Sequence, residues 1–405
     1  MTGIRRMLSA LSYRDFRVLW FGAFTSTIGT WMQKVAQSWL VLTITGSSSA
    51  FFLGLDAFLG ELPILLFTVI GGVVADRRDR RQLLLGSQYV QMAVAFTLAA
   101  LVYWDVVHIG HVLALSIITG LAQAFGGPAY QSLLPSLVAR EHLPNAIAFN
   151  SIQFNLARVI GPLLAGAALG ALGMVACFGL NGLSFLAVIG AILMLHVRHI
   201  PAPTGTRMRE ELAGGFAYVR AHGGLIGLAT LGFATTFLAN PVLTFLPLFT
   251  QDVFGGDVDE YTRLMSFAGG GAVTGALVVA WLGKFRHMGR TLLLIQGTLG
   301  VMVVLFAATR VFWVNAVLLF GAAACMIMVF AMLSSLVQLI APNEMRGRVM
   351  SIYMVAFRGG MPVGSLVAGW IATYTSASAV LTVNGVLLSL VAAWFLLKSH
   401  RIREL

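Results

Sequence analysis

The stretch GGVVADRRDRR, residues 71–81, carries six consecutive charges from Asp76 to Arg81 between an apolar run over 50–75 and another over 82–104. Each run exceeds the ~20 residues a helix needs to cross about 30 Å of hydrocarbon. A charged break this short between two such runs reads as the link between two membrane-crossing helices. Working outward, apolar runs recur at 16–44, 109–134, 145–170 and 173–196, and after a polar stretch at 224–250, 260–283, 291–309, 312–340, 347–373 and 377–398. The expectation is an all-α membrane protein with twelve transmembrane helices in two pseudo-symmetric six-helix bundles.

Composition supports this. The 405 residues are 58% hydrophobic and only 10% charged, with a mean hydropathy of +0.88, whereas soluble domains carry about a quarter charged residues. A chain this poor in charge cannot cover a water-facing surface of its expected size, which excludes a cytosolic enzyme, a secreted disulfide scaffold and a disordered chain. The net charge of +11 would suggest nucleic acid in a soluble chain, but here the basic residues fall in short segments between apolar runs. Outside those runs, 21 of 23 lie on one side, with only Arg263 and Arg310 on the other. The positive-inside bias then makes both termini cytoplasmic and puts the loop QDVFGGDVDEYTR, residues 251–263, outside. The N-terminus MTGIRRMLSALSYRDFRVLW begins like a signal peptide, but Arg14, Asp15 and Arg17 interrupt it, so it is read as retained. Cys177 and Cys325 sit in apolar stretches without metal-like spacing and are expected to be buried, reduced packing residues.

The longest polar connection, residues 198–224, nearly halves the chain. A 200-residue shift superposes Ser151 on Ser351, Arg158 on Arg358 and Pro162 on Pro362. Duplication accounts for this, giving an N-terminal bundle over 1–197, a cytoplasmic central loop over 198–224 and a C-terminal bundle over 225–405.

Within residues 71–81, Gly72, Asp76, Arg77, Arg80 and Arg81 stand at the spacing G-x-x-x-D-R-x-x-R-R. This resembles the signature loop of the major facilitator superfamily. The resemblance implies that these charges clasp neighbouring helix ends and lock the inward-closed state. Asp79 departs from the glycine common at its position, and the corresponding loop of the second half keeps Gly275 but has no acid at the Asp76 position, so its clasp is expected to be weaker or absent.

ARVIGPLLAG, residues 157–166, sets small residues at 157, 161, 165 and 166 around Pro162, whose missing N–H frees the carbonyl of Arg158. Gly161, Pro162, Ala165 and Gly166 resemble the fifth-helix signature of the superfamily's antiporter branch. The wider stretches SYRDFRVLWFG, TWMQKVAQSWLVLTITGSSSAFFLG, VADRRDRRQLL, GGPAYQSLLPSLVAREHLPNAIAFNSIQFNLARVIGPLLAG and CFGLNGLSFLAVIGAILM resemble the efflux group that includes enterobactin and macrolide exporters. That resemblance implies secondary active export. Tyr130 stands where members of that group often have arginine, so an anion-binding role does not carry over to it.

Ionisable residues within membrane helices are costly and usually face a cavity or one another. Glu61 and Asp56 lie about 22 and 30 Å up the second run from Asp76, and Lys34 about 26 Å up the first from Arg17. Glu61, Asp56 and Lys34 are the proton-coupling candidates, with Lys34 available to pair with either acid. Arg158 and Arg358 fall close to mid-membrane. Ser151, Asn155 and Arg158 share one helical face, and Ser26, Thr30, Gln33 and Gln37 share another. Gln33, Gln37, Asn155, Arg158 and Arg358 are therefore the cavity candidates, and an interior richer in cations than acids should tolerate anionic groups. In the seventh and eighth runs, Asn240-Pro241 and the glycines at 269–271 and 275 permit bending and close approach.

No phosphate loop, dinucleotide fingerprint or H-E-x-x-H occurs, so no cofactor, metal or ATP-driven step is expected. The reading is a proton-coupled exporter of small amphipathic compounds, such as drugs or siderophores, in a bacterial plasma membrane. Its two halves would alternate access to a midplane cavity. Expected partners are a small-molecule substrate, protons and the lipid bilayer, with no nucleic acid and nothing demanding more than a monomer. An importer of the same fold and a non-transporting membrane scaffold or receptor are the alternatives.

Overall fold

The computed structural model describes residues 9–196, 216, 218–220, 222–283, 285–342, 345–398 and 400–403. These are helical with no strand among the described residues. That is the arrangement that satisfies every backbone polar group inside one segment when no water is present. The chain divides into two compact units, Met1–Gly46 with Leu59–Pro203 and Ser47–Phe58 with Thr204–Leu405. Most of the polar connection 198–224 lies outside the described residues.

The first unit holds α1 (Arg14–Thr45), the inner part of α2 (Ser49–Arg77), α3 (Arg80–Tyr103), α4 (Ile109–Leu133) and α5 (Leu143–Leu193). The fifth and sixth apolar runs form this one helical stretch. It breaks only at Gly173, whose φ of 80° and ψ of −178° suit a residue without a side chain. Helix α1 packs along α5 through glycines. A side chain at Gly22 would meet the Ala187 carbonyl at 2.8 Å, and one at Gly29 would meet Asn181 Oδ1 at 2.6 Å. Likewise α2 meets α4 where Gly60 faces Gly120 and Gly71 faces the Ala124 carbonyl. Small residues let helix backbones approach closely where hydrophobic burial alone gives no driving force.

The second unit contains α6 (Gly223–Ala239), the short helices α7 (Pro241–Thr244) and α8 (Leu246–Phe254), then α9 (Val258–Leu282), α10 (Met288–Ala308), α11 (Phe312–Ile340), α12 (Arg346–Tyr374), α13 (Ala377–Lys398) and α14 (His400–Arg403). The seventh run is thus broken at Asn240 and again at Phe245, which places Pro241 and Pro247 in the first turns of new helices. Helix α6 packs on α12, α9 on α11, and α10 on α13. Asn240 donates to Ser365 Oγ at 3.2 Å, and the Thr244 hydroxyl lies 3.1 Å from the same oxygen.

Among the described residues, ten stretches can cross a membrane by length and composition alone. Two of the twelve runs expected from the sequence are not counted separately. Helix α1, with Gln33, Lys34 and Gln37 in its middle, is not among the ten, and residues 140–193 count as one stretch despite the break at Gly173. Exposed aromatics mark several helix ends, including Tyr103 and Trp104 at the end of α3, Trp281 near the end of α9, Trp313 at the start of α11 and Tyr374 at the end of α12. Amphipathic rings of this kind favour the membrane–water boundary. Of the two cysteines, Cys177 is buried and Cys325 half-buried, and both are free thiols.

Candidate functional site

The loop between α2 and α3 is built by its own charges. Asp79 is the N-cap of α3, accepting from the Arg81 amide at 2.9 Å, with an ordinary φ of −62°. No left-handed residue is needed here, so an aspartate replaces the family's glycine without strain and gains a cap. Arg80 donates to Asp76 Oδ1 at 3.4 Å, to the Ala75 carbonyl at 3.3 Å and to the Ser132 carbonyl at 3.1 Å. Arg81 donates to the Leu193 carbonyl at 2.6 Å. The last carbonyls of a helix lack partners within it and carry the negative end of its dipole. Arg80 and Arg81 thus tie α3 to the ends of α4 and α5. Gly72 has open space around its Cα. Arg77 makes no ion pair among the described residues, where Asp76 pairs with Arg80.

In the second half, Gly275 fits against the Ala324 backbone, and no ion pair occurs in this loop among the described residues; Lys284 lies outside them.

Two cations of the first unit share one aromatic ring. Trp31 on α1 lies under two charges, Lys34 Nζ 5.2 Å and Arg158 Cζ 5.1 Å from the ring centroid. Phe154 meets the same indole edge to face, with centroids 6.0 Å apart. Gly161 lets α5 press against the Trp31 side chain and come within 3.0 Å of the Ile28 carbonyl, measured from an added Cβ. Pro162 and Ala165 are buried and Gly166 half-buried beside it. Among the described residues no ion pair involves Lys34, Glu61 or Arg158. Lys34, for which Asp56 and Glu61 were the expected partners, lies over an aromatic ring and makes no ion pair with Glu61 among the described residues. Such contacts attract a cation to the ring face without a carboxylate.

The glutamines of the α1 stripe bridge helices. Asn181 donates to Gln33 Oε1 at 2.6 Å, and Gln37 donates to Ser116 Oγ at 2.9 Å. Asn155 donates to the Ser151 carbonyl of its own helix, at 2.8 Å. Arg358 is exposed on α12, so the two arginines related by the 200-residue shift have different surroundings. Asp56 sits with the second unit near the start of α2.

Two groups escaped the sequence reading. Trp31 stands three residues before Lys34, which puts the two on one helical face; that spacing was the available signal. The other is a hydrogen-bonded chain in which Tyr130 donates to Asn150 Oδ1 at 2.9 Å and, at 3.5 Å, to Gln153 Oε1, while Gln153 donates to Thr27 Oγ1 at 3.0 Å. Tyr130 is thus a member of a half-buried network that joins α4, α5 and α1.

The chain is 26% identical over 297 residues to macrolide efflux protein A of Streptococcus pyogenes, covering 71% of this chain and 70% of that one. It is 24% identical over 407 residues to the enterobactin exporter EntS of Shigella boydii, covering 96% and 92%. Its fold is similar to that of a bacterial homologue of the human lysosomal transporter Spinster, in an inward-facing, unoccupied conformation, with a TM-score of 0.76 at 15% identity over 97% of this chain and 98% of that one. The membrane helices, the arginine-clasped loop and a match to the transmembrane secretion effector family over residues 6–405 establish that the chain belongs to that family of major facilitator transporters.

Proposed function

We propose that the protein is a proton-coupled exporter of small amphipathic compounds, drugs or siderophores among them, working as a monomer in the bacterial plasma membrane with both termini cytoplasmic. The helical stretches then correspond to twelve crossings, with α1 as the first and α5 contributing two on either side of Gly173. Residues 1–197 and 225–405 form the alternating halves, joined by residues 198–224. Glu61 is the proton carrier of choice, with Asp56 next.

The observation that carries this reading is the attachment of Arg80 and Arg81 to the terminal carbonyls of α4 and α5. A topogenic charge cluster needs only to stay in water, whereas charge-assisted bonds from one short loop to two other helices make a joint that is stabilised or released as a unit. Asp76 joins it through Arg80, and Gly72 and Arg77 are included on the spacing of the motif alone.

The test is transport by purified protein in liposomes. Ethidium and erythromycin are loaded as probes and a proton gradient is imposed in either orientation. Gradient-dependent flux that stops with a protonophore supports proton coupling, and flux in the import direction alone would favour the uptake alternative. The absence of gradient-dependent flux for a panel of macrolides, cationic dyes and catecholate siderophores argues for a non-transporting role.

A further inference from the structure

The geometry points to an anion-recognising subsite within the first unit, formed by Trp31, Lys34 and Arg158, that takes the carboxylate or other acidic group of a substrate with an aromatic or apolar body. This inference rests on the transporter reading and narrows its substrate class.

Three observations converge. The first is charge. Lys34 Nζ and Arg158 Cζ both lie near one indole, at 5.2 and 5.1 Å from its centroid, so they are within about 10 Å of each other. Among the described residues neither has an ion-pair partner. Two like charges this close repel, and their contacts with the ring offset only part of that cost. An anion placed against both would complete the neutralisation.

The second is depth. Lys34 is about 16 Å from the nearer end of α1, and Arg158 about 22 Å from both Leu143 and the break at Gly173. A lysine side chain is too short to reach a headgroup from there, and cations at such depth face a protein interior or a watered cavity rather than lipid tails. Lys34 is nevertheless exposed, and Trp31 and Arg158 are half-buried, so the charged ends are within reach of a ligand.

The third is shape. The indole of Trp31 and the ring of Phe154, 6.0 Å apart and edge to face, give an apolar wall beside the cations. Gly161 fixes this wall, because α5 sits directly against the Trp31 side chain. A flat apolar body against the rings with its acidic group toward Lys34 and Arg158 uses both properties, whereas a neutral analogue uses only the wall. Guanidinium adds planar, two-pronged donation to carboxylate, which an ammonium cannot.

The experiment is calorimetric titration of the full-length protein in phosphatidylcholine nanodiscs with 2-naphthoate and with its neutral counterpart 2-naphthamide. The expected result is at least tenfold tighter binding of naphthoate, weakening as ionic strength rises. Lys34→Gln and Arg158→Gln should each reduce naphthoate affinity about tenfold and leave naphthamide unchanged. Arg158→Lys should restore part of the loss, and Trp31→Phe should weaken both ligands. Because Lys34 is exposed, Lys34→Gln keeps the test valid if Arg158→Gln fails to fold. Equal wild-type affinities for acid and amide overturn the proposal, as does an unchanged preference in Lys34→Gln. This binding measurement needs no gradient, so the subsite fails or stands separately from the flux assay that decides whether the protein transports at all.

Discussion

The Arg80 guanidinium donates to the carbonyl of Ser132, 3.1 Å away in the last turn of α4. The same group reaches Asp76 at 3.4 Å, but the Asp76 side chain is 55% exposed against 24% for Arg80. The carbonyl contact is the better sheltered of the two, so the strength of the loop should reside more in Arg80 than in its acid partner. Arg80→Ala is expected to destabilise the protein by about 2 kcal/mol, as removal of charged hydrogen bonds to carbonyls does. Asp76→Asn should cost less than about 1 kcal/mol, as exposed ion pairs do, while lowering flux at an unchanged amount of protein. Thermal denaturation in detergent, beside efflux at matched membrane levels, separates the two. Equal destabilisation by both changes would show that the exposed ion pair, not the carbonyl contact, carries the joint.

Asp79 supplies a second test in the same loop. Its carboxylate caps α3 through the Arg81 amide, so Asp79→Ala should cost about 1 kcal/mol, whereas Asp79→Asn and Asp79→Gly should cost only a few tenths. Hydrogen exchange of the first turn of α3 gives the readout, with faster exchange expected in Asp79→Ala alone. If Asp79→Gly raised stability instead, the glycine common in relatives would answer a backbone demand that the φ of −62° does not reveal.

The helices were legible because apolar runs of membrane length admit one structure. The runs at 312–340 and 377–398 coincide with α11 and α13. The break in the seventh run at Asn240-Pro241 was also readable, since proline cannot continue the hydrogen-bond ladder. The near-continuity of α5 was not, because it turns on the dihedral angles of Gly173 and glycine permits both a break and a bend. At the site, spacing placed Lys34 and Arg158 deep in their helices but could not choose their neighbours. Which aromatic ring lies between two helices depends on their rotation about each other, and no periodicity within one helix encodes that. The bridging roles of Gln33 and Gln37 were hidden for the same reason, as their partners Asn181 and Ser116 lie 148 and 79 residues away.

Gly161 and Gly72, both glycines of family signatures, should respond oppositely to enlargement. An added methyl at Gly161 would press into the Trp31 side chain and the α1 backbone, whereas at Gly72 it would meet nothing within 4 Å. Gly161→Ala is expected to destabilise by about 1–3 kcal/mol through overpacking. Gly72→Ala should be neutral or stabilising by about 0.5–1 kcal/mol, because alanine loses less freedom in a helix. Melting temperatures in detergent give the comparison. A destabilised Gly72→Ala would mean that this position meets a neighbour in another conformation, and reduced flux with intact stability would place that conformation in the transport cycle.

Glu61 offers the sharpest test of coupling. It is half-buried on α2 beside Pro63 and next to Gly60, which faces Gly120 of α4, and among the described residues it makes no hydrogen bond or ion pair. Lys34 lies over Trp31 instead, and the absence of an ion pair at Glu61 among the described residues is what supports its proposed role as proton carrier. Glu61→Gln mimics the protonated form and removes the exchangeable charge while nearly preserving shape. Proton-driven net efflux should collapse, by tenfold or more, while exchange of labelled for unlabelled substrate across the liposome continues at close to the wild-type rate. Asp56→Gln should have the smaller effect on the gradient-driven step. If Glu61→Gln retains pH-driven efflux, the obligatory carrier is elsewhere and Asp56 is the next residue to replace. If both efflux and exchange are lost from correctly inserted protein, Glu61 acts in substrate binding or in the conformational change rather than in coupling.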